Sequence, residues 1–160
     1  LVELVVVIAI LAILVGLLAP QYTKYVEKAR KSSDASNLEN MVRAVEVAIA
    51  DTNEETRITA GEYKITINNT ASESAKGTAV SIAAYDGVTP TNGSKAEAAI
   101  KEVIGEKWAD TVLKSKNWTK TENSVTSKVE SISATIDVST DGSFTVSYAP
   151  TELAGMIGTK

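Results

Sequence analysis

From Leu4 to Ala19 the chain contains nothing but aliphatic residues and Gly16, and no charge appears until Lys24. A helix over that run rises about 24 Å, and counting from Leu1 to Tyr22 gives about 33 Å, enough to cross a bilayer or fill a dry bundle. The one charge at this end is Glu3. An ionised carboxylate costs about 2.5–3.5 kcal/mol at the centre of a membrane helix and less near an end, where it reaches the interface. A charge kept in such a place usually has a partner.

Three readings compete for residues 1–23. A secretory signal peptide needs a basic start and a small-residue cleavage site, and neither is present. A plain transmembrane anchor satisfies length and composition, and Glu3 would then rest at the helix start, where the helix dipole favours an acid. The third reading is a membrane-inserted helix that later packs against copies of itself, with Glu3 paired to a neighbour.

The pattern Leu1-Val2-Glu3-Leu4-Val5-Val6-Val7-Ile8-Ala9-Ile10, with Pro20 following the acid and the aliphatic run, resembles the amino-terminal signature of bacterial type IV pilins and pseudopilins. The resemblance covers about residues 1–30. It implies that a leader is removed by a prepilin peptidase, that the new amino-terminus is methylated, and that Glu3, beside Leu1 and Val2, pairs with the terminal amine of a neighbouring subunit. It also implies a pilin-like fold, assembly by inner-membrane pilus machinery, and a helical homopolymer as the final state. Two departures follow. The family carries two residues, commonly Phe-Thr, ahead of Leu-Val-Glu, so the expectation is that this chain starts two residues inside the mature protein. The family also has a Gly nine residues after the acid, where this chain has Ala12. Family helices lose helical order between that Gly and the Pro on entering a filament. Here the weak stretch would shrink to Gly16–Pro20, a helix-destabilising Gly and a Pro without an amide donor. A simple kink at Pro20 is the plainer account. The basic flank of Lys24, Lys28, Arg30 and Lys31 would place itself in the cytoplasm by the positive-inside rule, whereas the resemblance places it outside. A more basic leader would reconcile the two.

Beyond the span, residues 24–52 read as the amphipathic half of the same helix. Leu38, Met41, Val42, Val45, Ala48 and Ile49 share one face. Ser36 with Glu39 offers a capping box where a second helix could start, but a continuous helix is the reading adopted. Tyr22 and Tyr25 stand at the water boundary as interface anchors. Residues 53–160 read as a globular α+β head. Residues 53–61 form a loop, and Tyr63, Ile65 and Ile67 alternate as a strand. Residues 69–77 form a loop, and Val80, Ile82 and Ala84 alternate as a second strand. Ser94 and Glu97 make a capping box for a short helix that Gly105 closes, with further helical turns through Trp108, Val112 and Leu113. Trp108 and Trp118 are core. The last element is a hairpin near 132–148. A two-residue Asp141-Gly142 loop would set Val138 opposite Thr145 and mix the faces. A three-residue loop, Thr140-Asp141-Gly142, sets Val138 opposite Phe144 and Ile136 opposite Val146, with Gly142 left-handed. The tail packs through Leu153, Met156 and Ile157.

Catalytic chemistry has little to work with. The chain has no His and no Cys among its 160 residues, which removes the usual general base, thiolate chemistry and the commonest metal ligands. No phosphate loop, nucleophile elbow or metal-binding His motif occurs. Glu54-Glu55 decorates a solvated loop, and strand and turn polarity explains Asp137 and Asp141 better than a calcium site. Asn68, Asn92 and Asn117 match the glycosylation pattern, as chance allows in an Asn/Thr-rich chain. A net charge of −4 gives no reason to expect nucleic acid. The expectation is therefore a structural subunit of a type IV pilus, not an enzyme and without a cofactor. It would be membrane-held before assembly and lie on an extracellular filament after. The alternatives are a pseudopilin or minor pilin of a secretion, DNA-uptake or adhesion system, and a monomeric membrane-anchored binding domain.

Overall fold

One helix, α1, runs from Val2 to Ile49, 48 residues without interruption and about 72 Å long. The computed structural model describes residues 1–71, 76–88, 90 and 93–158. The β-branched run Val5-Val6-Val7-Ile8 is only a modest helix former. In apolar surroundings, however, a helix satisfies its backbone groups within the segment, and few other structures do. Residues 1–25 are exposed throughout, and burial begins at Val26. From there the apolar stripe turns inward, and Leu38, Met41, Val42, Val45, Ala48 and Ile49 are all buried. No second helix starts at Ser36, because the backbone is helical through the whole Ser32–Ser36 interval. The helix stops at Ala50, short of the expected Thr52. The Asp51 carboxylate takes up the Asn53 N–H at 3.0 Å and the Thr56 hydroxyl at 2.5 Å, and so begins the loop.

The architecture is α+β and pilin-like in layout, a long apolar-ended helix carrying a small antiparallel sheet. Strands β1 (Gly61–Asn68), β2 (Thr78–Ala83), β5 (Ser131–Val138) and β6 (Phe144–Ala149) form one sheet in the order β2-β1-β5-β6. In the centre, Tyr63, Ile65 and Ile67 sit opposite Ile136, Ala134 and Ile132, one buried row against another. This face and the stripe of α1 make the core. The edge strands are less covered. Ile82, which alternates with the half-buried Val80, is exposed, and Phe144 is also exposed while Val146 and Tyr148 are half-buried. Val138 pairs with Phe144 and Ile136 with Val146, the register that the parity argument requires. Ser139 N–H reaches the Ser143 carbonyl, Gly142 N–H reaches the Ser139 carbonyl, and Gly142 has φ +85°.

Helix α2 (Ser94–Ile104) packs on α1 and ends at Gly105. The expected Ser94–Glu97 capping box does not form, since the cap position falls at Gly93 and no side chain caps it. A Cβ at 93 would lie 2.9 Å from the Ile82 side chain, so strand and cap approach more closely than a larger residue allows. The helical turns expected through Val112 and Leu113 reduce to one 3-10 turn, Trp108–Asp110. Leu113 N–H instead donates to the Asn68 carbonyl, drawing that segment out beside the end of β1. Two elements were not anticipated. Strands β3 (Thr119–Glu122) and β4 (Val125–Lys128) form a separate ribbon turned by Asn123 and Ser124, both at positive φ. Helix α3 (Thr151–Ile157) closes the chain, with Leu153 buried but Met156 exposed rather than packed. Parts of the 69–77 and 90–93 turns, and the acceptor Asn92, lie outside the described residues.

Candidate functional site

The candidate surface is the first half of α1. Its most apolar window has mean hydropathy 3.1, long and apolar enough to cross a membrane, and 0% of it is buried by the rest of the chain. The reason lies in the head: its core begins with Asp34 and Ala35, and nothing in the head reaches the residues before Val26 to cover them. Leu1, Val2 and Glu3 sit exposed at the tip. Glu3 makes no salt bridge among the described residues. Gly16 and Pro20 lie on one unbroken helix. Pro20 has no N–H to offer the carbonyl four residues back, and that carbonyl belongs to Gly16, so the two weak positions act on the same turn. Thr23 Oγ1 donates to the Pro20 carbonyl at 3.0 Å. Tyr22 and Tyr25 project outward at the end of the apolar run.

Asp141 and Gly142 play a local part, away from that surface. Asp141 accepts from Ser143 Oγ at 2.6 Å and from Ser143 N–H at 2.9 Å. The hydroxyl first, then the N–H, hold its carboxyl below the usual carboxylate value. Among the described residues no group of acids, His or Cys gathers as a metal site.

Sequence reasoning missed the collar that fastens head to helix. Asp34 is buried on α1. Its Oδ1 accepts the Lys114 N–H at 2.8 Å, and its Oδ2 accepts the Ser115 N–H at 2.9 Å and Trp118 Nε1–H at 3.2 Å. One turn below, Lys31 Nζ meets Glu152 Oε1 at 2.5 Å and lies 5.4 Å from the Trp118 ring centre. Glu152 Oε2 accepts from the N–H and hydroxyl of Thr119, each at 3.0 Å. Burial alone would raise the Glu152 pKa, but the bonds from Lys31 and Thr119 outweigh it and hold the carboxyl below its ordinary value. Glu27 completes the collar by accepting from the Ser115 hydroxyl. A signal for Asp34 did exist: it precedes Leu38 by four residues and so lies on the apolar stripe, where an acid needs buried donors.

No family model, curated protein or solved structure matches this chain.

Proposed function

We propose that the chain is a structural subunit, the major pilin, of a bacterial type IV pilus. In this reading it is held in the inner membrane before assembly and lies in an extracellular filament afterwards. The observation that carries the reading is a half-helix of high hydropathy left uncovered by its own head, with one unpaired carboxylate at its tip. Identical helices supply the cover. Apolar helices that leave lipid for one another gain little transfer free energy, so fit and polar pairing must set their register. A carboxylate among apolar helices is costly unless it is partnered, and the amino-terminus of the neighbouring subunit, as in the family resembled, provides the cation for Glu3. The collar keeps the head in a fixed relation to the helix, so heads arranged around a bundle would form a regular outer wall.

Glu3→Ala and Glu3→Val should still insert in the membrane but assemble poorly. Abundant normal filaments from cells carrying only the variant would overturn the pairing. Electron microscopy of sheared cell-surface material, with mass spectrometry of the main band, tests the reading as a whole. Trace amounts confined to filament tips would make the chain a minor pilin, and its complete absence from filaments would make it a monomeric anchored domain.

A further inference from the structure

Just above the apolar run, α1 and the underside of the head enclose an open angle. Lys24, Lys28 and Arg30 stand along the helix, with Asn117 and Met156 above them on the head. Lys24, Lys28 and Lys31 fall within about 60° of one another around a helix of 3.6 residues per turn. Lys31 is taken by Glu152, and Arg30 lies 3.8 Å from Glu27. Lys24 and Lys28 are exposed and make no salt bridge among the described residues. Four cations therefore face two carboxylates at the base of a chain whose net charge is −4.

We propose that this angle seats the headgroup of an anionic phospholipid in the leaflet that the helix leaves. The proposal rests on the membrane-inserted stage of the function proposed above, and not on filament formation. Three observations favour this occupant. The cations follow the apolar run directly, so in an inserted helix they lie at headgroup depth. From Thr23, the last uncharged residue of the run, to Lys31 under the head the helix rises about 12 Å. The polar layer of one leaflet is about 5–8 Å thick, so a headgroup fits beneath the roof. The roof itself suits a phosphodiester with its glycerol. Lys128 Nζ donates to Asn117 Oδ1 at 2.8 Å, which leaves the amide nitrogen of Asn117 as a donor, and Met156 is an exposed apolar side chain on the same lining. Lys24 and Lys28 supply the charge, and Tyr22 beside them is placed to hydrogen-bond at the interface.

The test uses the full chain in nanodiscs of phosphatidylcholine with a minority of phosphatidylglycerol, with the retained lipid read by native mass spectrometry. Phosphatidylglycerol should be enriched on the protein relative to the disc. Lys24→Gln with Lys28→Gln should cut that enrichment about fivefold for each lysine removed. Lys24→Arg with Lys28→Arg should restore it, and Lys107→Gln, at the turn after α2 and not among the residues that line the angle, should leave it unchanged. Equal retention of the two lipids by the parent chain would overturn the proposal, as would full enrichment in the double Gln variant. Uptake of soluble glycerol phosphate in pure phosphatidylcholine discs as strong as that of the lipid would make this an anion site without a lipid, and overturn it too. No filament is involved, so a chain that never polymerises can pass, and a filament former without lipid preference fails this proposal alone.

Discussion

Asp34 shows how one side chain can hold two parts of a molecule in register. It presents two oxygens to two backbone N–H groups and an indole N–H. Bonds to a charged acceptor are among the stronger ones, and a buried donor stripped of its partner costs about 1–3 kcal/mol. Asp34→Ala strands all of these donors, so a loss of about 3 kcal/mol is expected in urea unfolding of the detergent-solubilised chain, followed by tryptophan fluorescence. Asp34→Asn keeps the shape and one acceptor, and should lose less. Equal losses in the two variants would mean that the one oxygen Asn retains contributes nothing, and that the carboxylate acts only as a whole. Glu152 gives the collar a pH dependence. Its carboxyl titrates lower in the folded chain than the ordinary 4.5. Its contribution is therefore complete above that value and is lost as pH falls through the lower, folded value. Glu152→Gln should flatten the acid limb of a stability-against-pH curve while leaving its alkaline side parallel to the parent. An unchanged acid limb would remove Glu152 as its source.

Among the elements, each local rule can be tested where it acts alone. Around Gly142 a Cβ would meet nothing within 4 Å, so only its positive φ makes it special. Gly142→Ala should cost about 1–2 kcal/mol and Gly142→Asn less. An Ala variant as stable as the parent would show that the turn relaxes. Gly16 likewise has nothing within 4 Å but lies in regular helix. Gly16→Ala should firm that helix by about 1 kcal/mol. If the turn between Gly16 and Pro20 must loosen in a filament, the same change should lower filament yield while insertion stays normal. Undiminished yield would speak for a permanent kink instead. The same elements show what the sequence made legible. The α1 stripe, β1 and the β5–β6 register declare themselves through apolar periods of 3.6 and 2, since each has one buried face. The β3–β4 ribbon declares nothing, because Thr119–Lys128 is polar and almost wholly exposed on both faces. Helix α3 is too short, at 7 residues, to set up a period. The chemistry of the collar was visible in the odd position of Asp34, but its partners lie 80 to 84 residues away, and no local pattern reaches that far.

At the scale of the whole molecule, anchorage and folding are separable. Every buried residue lies at Asp34 or beyond, so a chain lacking residues 1–23 should fold without detergent and match the stability of the full chain within about 1 kcal/mol. Loss of cooperative unfolding in that shorter chain would show that the apolar half supports the head. Separability also sets an order of events. Chains emerge amino-terminus first. The carboxylate at 34 therefore waits, hydrated, until Lys114 to Trp118 have been made, and Lys31 waits for a residue 121 positions downstream. The greasy segment is delivered long before the clasp can close. If the chain is membrane-held as proposed, it would be moored in lipid while its head is still open, and the acid at 34 would stay in water until its donors arrive.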